Sequence, residues 1–294
     1  MLQLSLFALI LASTWFRETL HDGWGQSFEI DKVIYEGKSP YSESLVFENS
    51  VFGRVLALDG CVQLTEKDEP FYHEMIAHVP LFTHPNPSKV LIIGGGDGGT
   101  AREVLKHPSV TSVKLVEIDS EVINLSKKYF QSVCKGAFED PRLEVLIEDG
   151  AVFVANSEAQ FDVIIVDGCD PEGPARILFE KPFFEDCSRC LKEGGILVNH
   201  SSVPFMQKEP ISLTEQNLTK AFPYTMYYHA VVPTYVGGSF LFCLASQEPI
   251  LERIDTKEIK KRLECFSSKM KVYNHRLHLA SFSLPNYLLK EIGH

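Results

Sequence analysis

The chain is 294 residues long with a formal net charge of −11. That charge excludes nucleic-acid binding built on phosphate neutralisation, and it is compatible with a cationic ligand. At 45% hydrophobic and 23% charged, the chain has apolar side chains enough for one large domain or two modest ones. Seven sparse cysteines fit a reducing compartment.

Residues 1–13 are almost all apolar. The run is too short to span a bilayer and lacks the basic flank of a secretory signal. Residues 1–14 are therefore set apart as an apolar leader, and the expectation is a cytoplasmic protein with no membrane partner. Residues 15–26 (WFRETLHDGWGQ) are polar and aromatic. Alternation predicts a strand over 27–35, and two more over 44–47 and 54–58. Asp59-Gly60 is a hairpin signal leading into a strand at 62–64. These make a small antiparallel N-terminal β-strand domain, drawn at 15–75, followed by a second domain over 76–294. Residues 66–69 form a charged turn, 71–81 a helix with apolar residues at helical spacing, and 84–87 (HPNP) a linker.

From residue 90 the pattern alternates. Strands are predicted at 90–93, 113–116, 144–147, 163–166 and 195–199, and helices at 100–106, 120–130, 150–156, 182–191 and 212–221. Further strands are predicted at 231–233 and 240–246, then a helical tail broken at Pro285. Alternation of this kind makes an α/β fold, a mostly parallel Rossmann-like sheet with helices on both faces. Ligands in such sheets lie beyond the carboxyl ends of the strands.

The chemistry gathers around VLIIGGGDGG, residues 90–99. Gly94, Gly96 and Gly99 fit G-x-G-x-x-G after a strand and before a helix. Glu117, 23 residues after Gly94, ends the next strand, where an acidic side chain takes a ribose hydroxyl pair. Asp97 is out of place for a phosphate site, because a carboxylate in the turn repels a pyrophosphate and welcomes a cation. Asp97, Glu117, Asp149 and Asp167 each fall just past a strand end, making one acidic pocket with no basic partner near in sequence. Asp167-Gly168-Cys169-Asp170-Pro171, then Gly173-Pro174, is a loop whose two aspartates can face that pocket or cap turns. The acids are spread over four strands, so no metal is assigned. His73 and His78 are five apart, not the four that a zinc-protease helix requires. Cys187 and Cys190 have no second pair for zinc and read as core and surface positions of a helix.

At these residues the chain resembles the polyamine aminopropyltransferases, most closely the bacterial spermidine synthases. The matching stretches are ETLHDGWGQ, FGRVLALDG, TEKDE, YHEMIAHVPL, VLIIGGGDGG, VEID, Asp149-Gly150, FDVIIVD, DP-GP, PTY at 233–235 and LPNYL, over about 18–287. The resemblance implies a class I methyltransferase-type sheet behind a small β domain. It also implies transfer of a 3-aminopropyl group from decarboxylated S-adenosylmethionine to putrescine or a related small amine, without a cofactor. It assigns Asp167 as proton acceptor, Asp97 to the aminopropyl ammonium, Glu117 to the ribose hydroxyls, and Asp149 and Gly150 to the adenine edge. Gly94, Gly96 and Pro174 pack near the nucleoside. Tyr72, His73, Gly168, Cys169, Asp170 and Tyr235 line the amine path, and a homodimer or homotetramer is expected. Four positions depart from the family pattern: Ser42 stands where a nucleoside-binding glutamine is usual, Cys169 lacks a hydroxyl, and Arg176 and His200 replace a glutamate and a glutamine. Two other readings of the same chain are an amine methyltransferase using intact S-adenosylmethionine and a catalytically impaired nucleoside- or polyamine-binding homologue.

Overall fold

The computed structural model describes residues 14–18, 20–169, 173–249, 251–264, 266 and 270–292. A two-stranded ribbon pairs β1 (Thr14–Arg17) with β2 (Ser27–Ile30). Next come β3 (Lys32–Lys38), β4 (Glu43–Asn49), β5 (Gly53–Leu58) and β6 (Cys61–Thr65), an antiparallel sheet in sequence order. The strand predicted over 27–35 is thus two strands, divided at Asp31. The segment at 15–26, read only as polar and aromatic, contributes most of β1. Its Phe16 packs on Phe47 at 5.4 Å between ring centroids, a pairing that no local pattern announces.

Both faces of this sheet are covered. Phe28, Phe47, Val55 and Val62 pack on one side. On the other, Val46, Leu56 and Leu64 meet Leu125, Phe130 and Val133 of the second unit. That second contact holds the β3–β4 turn over the larger sheet.

Helix α1 (Glu69–Thr83) begins with Pro70 in its first turn, where the missing N–H costs nothing. It is buried on nearly every side, and Met75, Ile76 and Val79 join the core of the larger sheet. The chain then alternates through β7 (Lys89–Gly94), α2 (Gly99–Leu105), β8 (Ser112–Glu117), α3 (Ser120–Tyr129), α4 (Gln131–Cys134), β9 (Leu143–Ile147), α5 (Gly150–Ala155) and β10 (Phe161–Asp167). It continues through α6 (Lys181–Cys190), β11 (Leu191–Ser202), α7 (Lys208–Ala221), β12 (Tyr224–Val231) and β13 (Ser239–Ser246). Three helices close it: α8 (Thr256–Glu264), α9 (His275–Ala280) and α10 (Asn286–Glu291). Among the described residues no helix is long and apolar enough to cross a membrane.

The seven-stranded sheet runs β12-β13-β11-β10-β7-β8-β9. The five strands from β11 to β9 are parallel, and β13 and β12 add an antiparallel edge. Side chains alternate between its faces: Val90, Ile92, Val163 and Ile165 enter one core, and Leu91, Ile93, Ile164 and Val166 the other. This is why β7 and β10 read as unbroken apolar runs. The strand predicted at 231–233 is instead β12, which ends at Val231. It is an edge strand, and its aromatic residues and half-exposed face hide the alternation. Cys187 and Cys190 are both fully buried in α6, so neither is a surface position.

Candidate active site

The strand order reverses at β7. From it the chain moves outward to β8 and β9, then returns to place β10 on its other side. The crevice at such a reversal is where an open α/β sheet binds ligands. Here it holds a cavity of about 350 Å³ roofed by the N-terminal sheet.

Gly94 turns with φ +81°, and a Cβ there would lie 2.1 Å from the carbonyl oxygen of Asp167. No other residue lets β7 and β10 stay this close at their ends. Gly95 N–H donates to that same carbonyl at 2.8 Å. Gly96 N–H donates to Glu117 at 3.2 Å, and Asp119 N–H donates to the other oxygen of Glu117 at 2.8 Å. Burial pushes the Glu117 carboxyl up to about 7, with Asp119 and Asp167 adding to it, although the two backbone N–H bonds pull it down.

Asp167, at the end of β10, is buried and accepts from the Tyr72 hydroxyl at 2.8 Å and the Thr100 hydroxyl at 2.6 Å. Burial, then the neighbouring Asp97, raise its pKa. Asp97 accepts from Gly99 N–H at 2.6 Å and faces the His73 ring at 3.2 Å. Burial opposes its charge, but His73 outweighs that, and Asp97 stays below the ordinary carboxylate range. Burial likewise opposes a charge on His73, yet Asp97 and Glu69 raise its pKa well above the ordinary histidine value. The cluster therefore brings together two carboxyls raised by burial, Asp167 and Glu117, and one held as an anion, Asp97, all open to one cavity.

Ser42, Tyr72, His73, Gly94, Gly96, Asp97, Glu117, Asp149, Gly150, Asp167, Gly168, Cys169 and Tyr235 all line that cavity. Asp149 also caps α5, accepting from Ala151 N–H at 2.8 Å. Tyr235 donates to the carbonyl of Gln63 at 3.0 Å and reaches across from the β12–β13 turn. His200 lies between Phe179 and Phe240, its ring 3.0 Å from the Cys169 carbonyl. Arg176 is exposed and is not part of the lining. Asp170 lies outside the described residues, as does the side chain of Pro174. Among the described residues no group of three or more His, Cys, Asp or Glu is arranged to hold a metal.

The spermine/spermidine synthase domain model matches residues 69–257, and the spermidine synthase tetramerisation domain model matches residues 14–66. The chain belongs to the spermine/spermidine synthase family. It is 45% identical over 278 residues to polyamine aminopropyltransferase 1 of Pseudomonas aeruginosa, covering 95% of this chain and 97% of that protein. It is 46% identical over 280 residues to the polyamine aminopropyltransferase of Sodalis glossinidius, with the same coverage. A spermidine synthase crystallised with the transition-state analogue AdoDATO superposes with a TM-score of 0.91 at 41% identity, covering 95% of each chain. The spermidine synthase of Thermotoga maritima gives 0.88 at 40%, covering 95% of this chain and 94% of that one.

Within this family member, several residues in or against the cavity went unnoticed in the sequence. Asp119 caps α3 and accepts from the hydroxyls of Ser39 at 2.5 Å and Ser42 at 3.2 Å, so it ties the β3–β4 turn to the sheet. Its signal was present in VEID, where an aspartate follows the ribose-type glutamate by two. Thr100, Glu69 and Gln63 carried no comparable signal, because each is brought to the site only by tertiary packing.

Proposed function

We propose that this chain transfers the 3-aminopropyl group of decarboxylated S-adenosylmethionine to putrescine, giving spermidine and 5′-methylthioadenosine. The observation that carries it is the division of labour between Asp97 and Asp167 in one cavity. Asp97 remains an anion suited to an ammonium group, and Asp167 is tuned upward, toward accepting a proton. Glu117 faces the nucleoside side, where its carboxylate takes the ribose hydroxyls. Asp149 and Gly150 border the adenine.

In the reaction the amine nitrogen attacks the carbon attached to the sulfonium. The new C–N bond forms as the C–S bond breaks, and the electron pair of that bond goes to sulfur, leaving a neutral thioether. The proton lost by the nitrogen goes to Asp167. The sulfonium is already an activated leaving group, so this scheme uses no metal or cofactor. Tyr72 and Tyr235 wall the amine path, and their ring centroids lie 5.9 Å apart. Exclusion of water there strengthens every charge contact. Alignment of nitrogen, carbon and sulfur supplies much of the remaining acceleration. Methyl transfer from intact S-adenosylmethionine would set the donor carboxylate against Asp97, a like-charge contact. The match of residues 14–66 to a tetramerisation domain supports a homo-oligomer, dimer or tetramer. A cytoplasmic location belongs to the same proposal.

The deciding experiment offers purified protein the decarboxylated donor and a panel of diamines and polyamines. Spermidine and methylthioadenosine in equal amounts from putrescine support the proposal. Product from a different amine alone reassigns the acceptor, and no product from any amine overturns the reading.

A further inference from the structure

Behind His73 lies a buried chain of charges that the scheme above does not use. Glu69, one helical turn earlier on α1, sits 2.7 Å from His73 Nδ1. Arg102 on α2 donates to both oxygens of Glu69, at 2.9 and 2.8 Å. The same guanidinium donates to Glu103 at 2.6 Å and to the Val133 carbonyl at 2.6 Å. Glu69, His73 and Arg102 are each more than nine-tenths buried. The His73 ring lies flush against the start of α2, where a Cβ on Gly99 would fall 2.3 Å from it. Nδ1 is held by Glu69 and Nε2 points at Asp97, so the ring has one orientation.

A forked arginine–carboxylate pair is geometrically exacting, and a carboxylate on the far nitrogen of an imidazole fixes which way the near nitrogen faces. Burying such a chain is costly unless every member is partnered, and here every member is.

We propose that Glu69 and Arg102 are positioning residues for the transfer: acting through the His73 ring, they keep Asp97 engaged so that Asp167 is left to take the proton of the amine. The inference rests on the aminopropyl-transfer reading. The titratable and charged groups around His73 are Glu69 and Tyr72 on α1, Asp97 on the glycine turn, and Arg102 and Glu103 on α2. Asp167 on β10 also feels the charge of His73, and the Cys134 thiol on α4 feels that of Asp97. Without Glu69 the imidazole loses the partner that favours its charged form. Asp97 then faces Asp167 without that cation beside it, and the repulsion makes Asp167 harder to ionise.

The test compares Glu69→Gln with Glu74→Gln. Glu74 lies on the same helix, is equally buried and spends its carboxylate on the backbone N–H groups of Lys271, Val272 and Tyr273 rather than on the His73 ring. Both variants are expected to melt earlier than the unaltered enzyme. Only Glu69→Gln is expected to lower kcat, by about 10- to 100-fold, and to move the acid limb of the kcat–pH profile upward by about one unit. An unmoved limb, or the same shift in Glu74→Gln, overturns the inference and reduces Glu69 to a structural role. If Glu69→Gln does not fold, Arg102→Lys, which keeps the charge but loses the fork, carries the same test with the same two outcomes. Absence of turnover in the unaltered enzyme instead rejects the transfer reading itself.

Discussion

Two buried clusters, built from the same residue types, flank helix α1. One joins His73 to Glu69 and Asp97, beside Asp167 and Glu117. The other joins His78 to Glu103 at 2.9 Å and to His107 at 2.9 Å. In the second cluster a single carboxylate meets three potential cations: His78, Arg102 and Lys106. Burial opposes the charge on Glu103, yet these partners hold it far below the usual carboxylate range. In the first, the four carboxylates of Glu69, Asp97, Glu117 and Asp167 meet one imidazole and the Arg102 guanidinium that the two clusters share, and burial pushes two of the four up. The second cluster is satisfied within the fold. The first carries an excess of negative charge that only a bound cation completes. A histidine among acids is thus structural or functional according to whether its charges balance, and balance is a property of the fold rather than of spacing.

The sharpest way to break the comparison is to neutralise one carboxylate in each cluster. Asp167→Asn should keep the cavity shape and lose about 10²–10⁴ in turnover, as removal of a general base does. Its stability should hold or rise, because the charged form of Asp167 is disfavoured in the fold. Near-normal turnover in a steady-state product assay would refute the role of Asp167. Glu103→Gln should do the converse. It leaves His78 and Lys106 without their anion and takes from Arg102 one of its two carboxylate partners, and breaking a buried pair costs about 3–5 kcal/mol. Denaturant unfolding of both variants measures the contrast. Equal losses of stability would mean that the two clusters do not differ as described.

Much of this contrast was legible in the sequence on one side only. The strand-end acids Asp97, Glu117 and Asp167 could be gathered into one pocket because the parallel-sheet rule fixes where strand ends go. Their consequences could not be read, because Thr100, Tyr72 and His73 reach Asp167 and Asp97 only through the packing of α1 and α2. His78 was set apart from a zinc helix by spacing alone, and nothing local announced Glu103 or His107 as its partners. The larger sheet was visible from its unbroken apolar strands. The edge strand β12 was not, since an exposed face and clustered tyrosines blur a period of two.

A smaller effect sharpens the comparison through pH. Glu117 is raised from 4.5 to about 7, so between those values the folded protein binds more protons than the unfolded chain. Stability contributed by this group is therefore greatest below about pH 4.5 and falls as pH rises toward 7, by on the order of 3 kcal/mol in all. Glu117→Gln should flatten that slope. Thermal unfolding scanned at pH 5, 6 and 7 checks it, and parallel slopes in the two proteins would remove Glu117 as the cause. Under the proposed function, methylthioadenosine should relieve the strain, because ribose hydroxyls favour the ionised form.

The smallest expected effect lies at Ser42, which lines the same cavity as the excess-charge cluster. Ser42→Gln should tighten methylthioadenosine binding if the family glutamine contact is simply missing here. One regained neutral hydrogen bond is worth about 0.5–1.5 kcal/mol, or roughly 2- to 12-fold in affinity. The position is well fixed. Leu45 pairs with Ala57, Glu43 N–H donates to Asp59 at 2.8 Å, and Ser39 N–H closes the turn on the Ser42 carbonyl at 2.9 Å. A one-residue slip would turn the buried Val46 off its face, so the turn cannot drift. The substitution removes the Ser42 hydroxyl from Asp119, but the shorter bond from Ser39 still holds that carboxylate. The longer side chain can therefore enter the cavity without releasing the turn. Calorimetric titration of methylthioadenosine into both proteins decides the matter. Unchanged or weaker binding would mean that Asp119 and the serine pair already fill the place of the glutamine.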